Sequence, residues 1–346
     1  MEGPFKIVAD SDIPFLEGVF EPYAEVKYIL GADISASDVA DADALIVRTR
    51  TRCNSDLLAG SKVKVIATAT IGTDHIDLDY CRSMGIKVYN ASGCNAGGVM
   101  QYVFSALYGV CAHNGINLSG KVFGIVGVGN VGSRVEHMAR YLGFDVLLCD
   151  PPRAEKEGPE GFVGIDELLA ASDIVTIHTP LNDSTRKMAN DDFFCKMKTG
   201  AIFINTARGE IVDDEALLQA VPKLGAAVLD TWNNEPNVNR KLLEAVDIAT
   251  PHVAGYSYQG KMNGTAMAVQ AVAHFLGIDK LFDFYPRELP DDVPQKLDLS
   301  GKTQGEIAAV FQYNYPVFTD DFIFRMNPDD FELQRNNYRY RREIFV

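Results

Sequence analysis

Three polar residues in the second half of the chain have the types and spacing that acid–base chemistry needs. Arg208, Glu235 and His252 each stand just past an apolar run that predicts a β-strand. Because ligands of an open parallel sheet bind at the carboxyl ends of its strands, we expect these side chains to share one crevice. Histidine titrates near neutrality, a neighbouring carboxylate orients the imidazole, and an arginine grips a carboxylate through paired N–H groups. The set suits proton removal from the hydroxyl of a hydroxy acid.

Each of these residues, taken singly, also fits a structural role. A lone histidine after proline is usually a loop residue, an arginine after a strand commonly forms a surface ion pair, and Glu-Pro is often only a turn. The case for catalysis rests on the three residues together, behind a nucleotide-binding fingerprint in the same part of the chain.

The fingerprint is Gly127-Val-Gly-Asn-Val-Gly132, between a predicted strand at 122–126 and a predicted helix at 131–142. The first glycine permits a tight turn, the second lets a pyrophosphate approach the backbone, and the third allows the helix to pack closely on the strand. The helix N-terminus offers N–H groups to the phosphates. The next strand ends at Asp150, whose carboxylate suits ribose hydroxyls and repels a 2′-phosphate, so NAD is favoured over NADP. The alternative is a structural turn that binds no nucleotide.

Two successive α/β series must position these residues. Short β-rich runs alternate with amphipathic segments in each series, which predicts parallel sheets. The first series has predicted strands at 6–9, 44–47 and 63–67, and helical segments at 54–59 and 76–84. The second has predicted strands at 122–126, 146–149, 174–177, 201–205, 226–229 and 248–249, and helices at 165–171 and 214–220. Long helices predicted at 96–113 and 264–275 would connect the two series.

The predicted fold class is α/β, with two Rossmann-like or flavodoxin-like parallel-sheet domains around a cleft and a small C-terminal region. We expect residues 1–95 with about 256–284 to form a substrate (lid) domain and 96–255 to form an NAD-binding Rossmann domain. Residues 285–346 would form a C-terminal accessory region. This region is rich in Pro, Phe, Tyr and Asp, and ends in a basic segment with Arg335, Arg339, Arg341 and Arg342. Its aromatic content favours burial, and the alternative is a solvated tail.

Composition restricts the class of protein. The 346 residues carry a formal net charge of −15, which argues against nucleic-acid binding but leaves room for a small anionic substrate held by local arginines. The six cysteines are scattered without a C-x-x-C pair, so we predict a reducing compartment and no metal site. The sequence has no apolar run of about 18 residues and its start lacks the pattern of a signal peptide. We therefore expect a cytoplasmic protein without a membrane span.

These motifs together resemble those of the D-isomer-specific 2-hydroxyacid dehydrogenases, over nearly all of residues 5–280. The resemblance rests on the glycine fingerprint and on four further segments: His178-Thr-Pro-Leu181, Asn205-Thr-Ala-Arg-Gly209, Asp230 to Pro236, and Pro251-His-Val-Ala-Gly255. It implies an NAD-dependent oxidoreductase in which Arg208 binds the substrate carboxylate, Glu235 supports the histidine, and His252 is the acid/base.

The resemblance also implies ligand contacts. The positions that match NAD contacts are Gly127, Gly129, Asn130, Val131, Gly132, Asp150, Thr179, Thr206, Ala207, Arg208, Asp230 and Gly255. The positions that match substrate contacts are Thr49, Thr70 and Tyr256. Arg48 is a further candidate for a substrate phosphate on charge alone, and otherwise a surface arginine at a strand end. Gly97 and Gly98 depart from the usual pattern, and we expect them to loosen the first turn of their helix.

Narrower similarities, among them Thr68 to His75, Ala91 to Ala96 and Asn336 to Arg342, indicate a branch of the family that oxidises 4-phospho-D-erythronate to 2-oxo-3-hydroxy-4-phosphobutanoate in pyridoxal 5′-phosphate biosynthesis. They imply a homodimer built through the C-terminal region, and a 2-oxo acid as electron acceptor. Two alternatives stay open. One is another dehydrogenase of the family, such as phosphoglycerate dehydrogenase or glyoxylate/hydroxypyruvate reductase. The other is a non-catalytic NAD-sensing binding protein.

Overall fold

The computed structural model describes residues 4–287 and 295–345. The chain forms two compact units. Unit 1 comprises the described residues of Met1–Asn95 and Tyr258–Val293, and unit 2 those of Ala96–Ser257 and Pro294–Val346. The described segments contain no helix that is both long and apolar enough to cross a membrane. They also contain no cluster of three or more metal-ligating side chains.

The strands, in chain order, are β1 (Phe5–Asp10), β2 (Ala24–Ile29), β3 (Ala44–Val47), β4 (Val65–Thr68), β5 (Lys87–Asn90), β6 (Val122–Val126), β7 (Asp145–Cys149), β8 (Ile174–Ile177), β9 (Ile202–Asn205), β10 (Ala226–Leu229), β11 (Ile248–Ala249), β12 (Gln295–Lys296) and β13 (Ile344–Phe345). The helices are α1 (Ala36–Val39), α2 (Ser55–Leu58), α3 (Leu78–Ser83), α4 (Ala96–Asn114), α5 (Asn130–Tyr141), α6 (Pro151–Glu157), α7 (Ile165–Ala171), α8 (Asp191–Lys196), α9 (Asp214–Ala220), α10 (Arg240–Ala245), α11 (Tyr258–Leu276), α12 (Gln304–Asn314), α13 (Val317–Met326) and α14 (Phe331–Asn336).

Unit 1 is built on a parallel sheet of order β2-β1-β3-β4-β5. Its central strands β3 and β4 are buried at every position, as expected for a sheet covered on both faces. Helix α11 packs on one face, where Val269 and Val272 join the core formed by Ile7 and Val65. This helix begins six residues before the predicted start at 264. Strands β2 and β5 were not predicted, and both lie at the edges of the sheet.

Unit 2 is built on a parallel sheet of order β11-β10-β9-β8-β6-β7. Its strands agree with the predicted ones to within one residue at each end. Successive residues of these strands alternate between two cores, since Phe123 and Ile125 pack with α4 and α5 while Val175 and Ile177 pack with α7, α8 and α9. Both faces of the sheet are therefore covered, and the loops at the carboxyl ends of the strands lie together at one edge.

The C-terminal helices belong to unit 2 and do not form a separate region. Phe311 of α12 stacks on Phe104 and Tyr108 of α4, with ring centroids 6.0 and 5.7 Å apart. Phe311, Phe324 and Phe331 are fully buried. This burial is incompatible with a solvated tail, and it places residues 295–345 in the same unit as the glycine fingerprint.

Gly97 and Gly98 have a role that differs from the predicted loosening of the helix. Both lie inside α4, which is regular from Ala96. A Cβ on Gly97 would collide with the carboxylate of Glu343, and a Cβ on Gly98 would lie 2.9 Å from Oγ of Ser257. Gly97 thus lets Glu343 approach the backbone of α4 closely, and Gly98 does the same for Ser257.

Candidate active site

His252 and Glu235 form a hydrogen-bonded pair at the carboxyl edge of the unit 2 sheet. Nδ1 of His252 lies 2.8 Å from Oε2 of Glu235, and the other carboxylate oxygen accepts the N–H of Trp232 at 2.9 Å. Both side chains are mostly buried, with 29% and 22% exposed. Because Nδ1 faces the carboxylate, Nε2 is the ring nitrogen available for proton exchange with a ligand.

The backbone at His252 is held in an uncommon conformation. Its φ is +56°, in the left-handed region that non-glycine residues seldom adopt. The His252 N–H donates to the carbonyl of Asp230 at 2.7 Å. Such a conformation persists only where the surroundings impose it, and it occurs often at functional sites.

Hydrogen bonds to the carboxylate of Asp230 hold the turn at His252 in this left-handed conformation. Its Oδ1 accepts the N–H of Val253 at 2.8 Å and its Oδ2 accepts the N–H of Ala254 at 2.9 Å. The hydroxyl of Thr250 donates to Oδ1 at 2.6 Å and is itself 2.7 Å from the hydroxyl of Tyr102. Burial raises the pKa of Asp230, although the His252 imidazole and these donors oppose the effect. The sequence analysis assigned Asp230 to NAD alone and did not predict this support of the His252 turn.

Arg208 follows β9 on a turn that packs against the Glu235 turn. A Cβ on the next residue, Gly209, would collide with the backbone of Trp232, so only glycine permits this approach. The side-chain amide of Asn205 donates to the Arg208 carbonyl at 3.0 Å, and Nη1 of Arg208 donates to the Ala207 carbonyl at 2.8 Å. The structure therefore brings the three predicted catalytic residues onto adjoining turns, with a direct bond between His252 and Glu235.

Residues of the C-terminal segment also lie at this site, and the sequence analysis did not predict them. The guanidinium of Arg335 lies over the ring of Tyr256, 5.8 Å from its centroid, and the ring of Tyr338 packs on Tyr256 at 5.7 Å. Burial opposes ionisation of Glu235, but His252, the Trp232 N–H and the charge of Arg335 outweigh it and lower the pKa of Glu235. The only signal in the sequence was the basic, tyrosine-rich character of residues 335–342.

The glycine loop has the shape that a pyrophosphate needs. Gly127 has φ +87°, and a Cβ there would lie 2.8 Å from the backbone of His178 and Thr179. A Cβ on Gly132 would collide with the Gly127 carbonyl. By contrast, a Cβ on Gly129 would meet no atom within 4 Å. Gly129 thus borders open space at the N-terminus of α5, where a phosphate can approach the backbone.

The remaining predicted cofactor positions surround this loop. Asp150 caps α6, and its carboxylate accepts the N–H of Val128 at 2.7 Å and that of Arg153 at 3.1 Å. The hydroxyl of Thr179 is buried and has no hydrogen-bond partner within the described part of the chain. Thr206 lies 3.4 Å from Nδ1 of His178. An unsatisfied buried hydroxyl on Thr179, the residue whose backbone packs against Gly127, fits a site made for a polar ligand.

The predicted substrate contacts divide between the units. Tyr256 lies in unit 2, while Arg48, Thr49 and Thr70 lie in unit 1, at the carboxyl ends of the neighbouring strands β3 and β4. Arg48 is bound by two carboxylates, with Nε 3.2 Å from Asp10 and Nη2 2.9 Å from Asp12. Thr49 is exposed. The hydroxyl of Thr70 lies 2.7 Å from that of Thr68 and 3.3 Å from the Gly72 carbonyl.

Comparison with known proteins places the chain in a family. The sequence model described as D-isomer specific 2-hydroxyacid dehydrogenase, NAD binding domain, matches residues 108–254. The erythronate-4-phosphate dehydrogenase of Bacteroides fragilis is 44% identical over 345 residues, which cover 98% of this chain and 97% of that enzyme. The chain belongs to the D-isomer-specific 2-hydroxyacid dehydrogenases. It is an NAD-dependent oxidoreductase of that family, as the motifs predicted.

Other members of the family agree in sequence and in fold. The erythronate-4-phosphate dehydrogenase of Yersinia enterocolitica is 38% identical over 348 residues, or 98% of this chain and 92% of that enzyme. The NAD+-bound 3-phosphoglycerate dehydrogenase of Entamoeba histolytica superposes with a TM-score of 0.67 at 28% identity, covering 79% of this chain and 96% of that one. The Aquifex aeolicus D-lactate dehydrogenase, complexed with NAD and lactic acid, gives 0.65 at 25% identity, covering 81% and 98%. The predicted fold of two parallel-sheet α/β domains is confirmed.

Proposed function

We propose that this chain oxidises 4-phospho-D-erythronate at C2 to 2-oxo-3-hydroxy-4-phosphobutanoate, in the biosynthesis of pyridoxal 5′-phosphate. The observation that carries the proposal is the bonded His252–Glu235 pair, in a chain that aligns over 98% of its length with enzymes named for this substrate. NAD, when bound, accepts the hydride that leaves C2.

His252 acts as the acid/base in this proposal. Its Nε2 takes the proton of the C2 hydroxyl, while Nδ1 stays bonded to Glu235. The carboxylate fixes the ring orientation and stabilises the imidazolium that forms. The lowered pKa of Glu235 keeps it ionised at neutral pH, as this role requires.

Binding residues orient the substrate around that base. Arg208 binds the substrate carboxylate through paired N–H groups and polarises the reacting oxygen, and Tyr256 contributes on the same unit. Thr49, Thr70 and Arg48 of unit 1 bind the remainder of the substrate, with Arg48 assigned to the phosphate. The carboxylates of Asp10 and Asp12 partly neutralise Arg48, so we expect its share of the binding energy to be modest.

The residues that we propose to hold NAD all lie in unit 2. The N–H groups that follow Gly129 at the start of α5 would bind the pyrophosphate, and Asp150 would accept hydrogen bonds from the adenosine ribose. The hydroxyl of Thr179, the turn Thr206–Ala207–Arg208, Asp230 and Gly255 would supply the remaining contacts to NAD.

The test is a coupled assay on the purified protein. 4-Phospho-D-erythronate is supplied with 2-oxoglutarate, and 3-phosphoglycerate, glycerate and D-lactate are run in parallel. The expected result is formation of 2-hydroxyglutarate, with kcat/KM for the erythronate phosphate far above that for the other acids. Equal or greater activity on 3-phosphoglycerate would leave the family intact and overturn the substrate. Absence of turnover with every acid, in a protein that binds NADH, would favour the NAD-sensing alternative.

We also propose that a 2-oxo acid reoxidises the NADH bound to the protein, and that the protein acts in the cytoplasm.

We further propose that the protein is a homodimer. The C-terminal helices α13 and α14 expose large apolar side chains that a dimer would cover, namely Phe322, Ile323, Met326 and Leu333. Light scattering coupled to gel filtration tests the stoichiometry. A double variant, Phe322→Glu with Met326→Glu, is expected to give a monomer. A wild-type protein that runs as a monomer would overturn the dimer.

A further inference from the structure

Arg341 lies near the end of the chain yet contacts the turn that carries the proposed base. Its side chain is 8% exposed. Nη1 donates to the carbonyls of Val253 at 3.2 Å and Tyr256 at 3.3 Å, and Nη2 donates to the carbonyl of Gly98 at 3.0 Å and to that of Ala254. One guanidinium therefore holds three of the four backbone carbonyls that follow His252.

Asp230 and Arg341 hold the same stretch of backbone through complementary groups. Asp230 accepts the N–H groups of Val253 and Ala254, while Arg341 donates to the carbonyls of these residues. The planar fork of a guanidinium suits this task, because its donors point in fixed directions toward several acceptors at once. The turn with the left-handed His252 is thus held on its N–H side and on its carbonyl side.

The surroundings of Arg341 leave most of its N–H groups to bond to the backbone of this turn. Within the described ranges it has no carboxylate at ion-pair distance, although its charge interacts with the carboxylates of Asp320 and Glu343. Nη1 donates to the hydroxyl of Tyr338 at 3.1 Å, and that hydroxyl donates to Asp320 at 2.8 Å. The guanidinium also stacks on the ring of Tyr315, 4.0 Å from its centroid. Because the Arg341 guanidinium is bound mainly by backbone carbonyls and by the face of an aromatic ring, its N–H groups remain bonded to the backbone.

The two glycines of α4 and the end of the chain fix Arg341 in place. Ser257 pairs with Arg341 in a parallel bridge, and the Ser257 hydroxyl donates to Glu343 at 2.5 Å. Glu343 in turn occupies the space that a side chain on Gly97 would need. Bulkier residues at 97 and 98 would push away the segment that presents the guanidinium.

We propose that Arg341 is a positioning residue for His252: it sets the backbone of residues 253–256 so that the imidazole stays bonded to Glu235 and aimed at the substrate. Arg341 touches neither substrate nor cofactor. The inference rests on the proposed role of His252 as the acid/base. It also predicts a specific kinetic signature, since a misplaced base slows the chemical step and leaves binding of NADH at the glycine loop unaffected.

The test compares Arg341→Met, Arg341→Lys and, as the matched control, Arg339→Met, which removes an exposed arginine two residues away. NADH titration counts the competent sites, and kcat is expressed per NADH site. We expect Arg341→Met to lower kcat roughly 10- to 100-fold with KM for substrate and Kd for NADH changed less than about 3-fold, as a misplacement near 1 Å can cost this much. Arg341→Lys keeps the charge without the fork and should retain an intermediate kcat.

Several outcomes would overturn the proposal. One is a wild-type kcat per site in either Arg341 variant, and another is an equal loss in Arg339→Met. A third is a fall in NADH sites with unchanged kcat per site, which would make Arg341 purely structural. If Arg341→Met does not fold, the lysine variant alone decides. The wild-type arm separates this test from the proposed function: an inactive wild type contradicts the substrate, and the comparison is then made with the most active acid of the panel.

Discussion

The carboxyl edges of the two sheets carry polar side chains in two different states. In unit 2, His252 and Glu235 bond to each other, and their turns are held by Asp230 and Arg341. In unit 1, Arg48 is already bound by Asp10 and Asp12. The first edge is preorganised for moving a proton, while the second has a partly neutralised cation next to the exposed Thr49 and, on the neighbouring strand, the half-buried Thr70. Under the proposed function, the chemistry depends on unit 2, and the contribution of unit 1 is to bind the substrate.

The largest effect should come from the base itself. His252→Ala is expected to lower kcat about 10²- to 10⁴-fold, the usual share of a general base. Steady-state kinetics with the best substrate of the panel measure it, and His137→Ala on the exposed face of α5 is the control. Full turnover in a folded His252→Ala variant would contradict the claim that the carboxyl edge of the unit 2 sheet supplies the base.

A substitution in the glycine loop should weaken the binding of NADH without changing the stability of the fold. Gly129→Ala places a methyl where no protein atom lies within 4 Å, so we expect an unchanged melting temperature. The same methyl would occupy the approach of the pyrophosphate, and NADH should bind at least about 10-fold more weakly. Fluorescence titration of NADH measures this, with Gly164→Ala, also in open space, as the control. Unchanged NADH affinity in Gly129→Ala would contradict the assignment of the loop.

A substitution at Asp12 would leave the positive charge of Arg48 less fully neutralised. Asp12→Asn removes one of its two carboxylate partners, which lies partly exposed at 2.9 Å. If Arg48 binds the substrate phosphate, KM should fall roughly 2- to 5-fold, the equivalent of about 0.5–1 kcal/mol for an exposed charge pair. Asp79→Asn, which breaks the exposed pair with Arg82, should leave KM unchanged. An unchanged KM in Asp12→Asn would argue that Arg48 is structural.

The effect that is smallest at neutral pH, and grows as the pH falls, concerns one histidine in each unit. Burial lowers the pKa of His178 to about 3 and that of His75 to about 4. Both values lie below the value of about 6.5 for an unfolded chain, so the folded state binds fewer protons. Stability is therefore complete above pH 6.5 and falls as the pH drops toward 4, by at most about 1.4 kcal/mol per pH unit for each histidine.

Urea unfolding at several pH values checks this expectation. His178→Gln and His75→Gln should each flatten the dependence of the unfolding free energy on pH, while His137→Gln, at an exposed position, should not. Identical slopes in all variants would contradict the assigned burial of both imidazoles.

The buried strands could be predicted from the sequence more accurately than the half-exposed ones. Strands β6, β8, β9 and β10 of unit 2 are nearly continuous apolar runs that are buried at almost every position, and the sequence analysis located them almost residue by residue. Strands β2 and β5 are edge strands with mixed burial, in which Glu25, Lys27 and Lys87 interrupt the apolar pattern. Half-exposed edges need no apolar run, so their sequences do not distinguish them from loops.

The site was predictable where its residues follow strands. Arg208, Glu235 and His252 each come directly after a buried run, and a parallel sheet brings such positions to one edge. The support of His252 by Arg341 was not predictable, because 88 residues separate Arg341 from Val253 and only tertiary packing joins them. The carboxylate partners of Arg48 were missed for a similar reason, since Asp10 and Asp12 lie 38 and 36 residues away.

The bond between Nδ1 of His252 and Glu235 has a consequence for the direction of turnover. With that nitrogen occupied, Nε2 is the single ring atom that the proposed mechanism can use for proton transfer in both directions. In the proposed mechanism each oxidation adds a proton at Nε2 and leaves an imidazolium, which can serve only as the acid in the reduction of an oxo acid. By microscopic reversibility the same groups then run the reverse step. In the proposed reaction, oxidation of one acid and reduction of an oxo acid would therefore alternate at this site, each step leaving His252 in the protonation state that the other step requires.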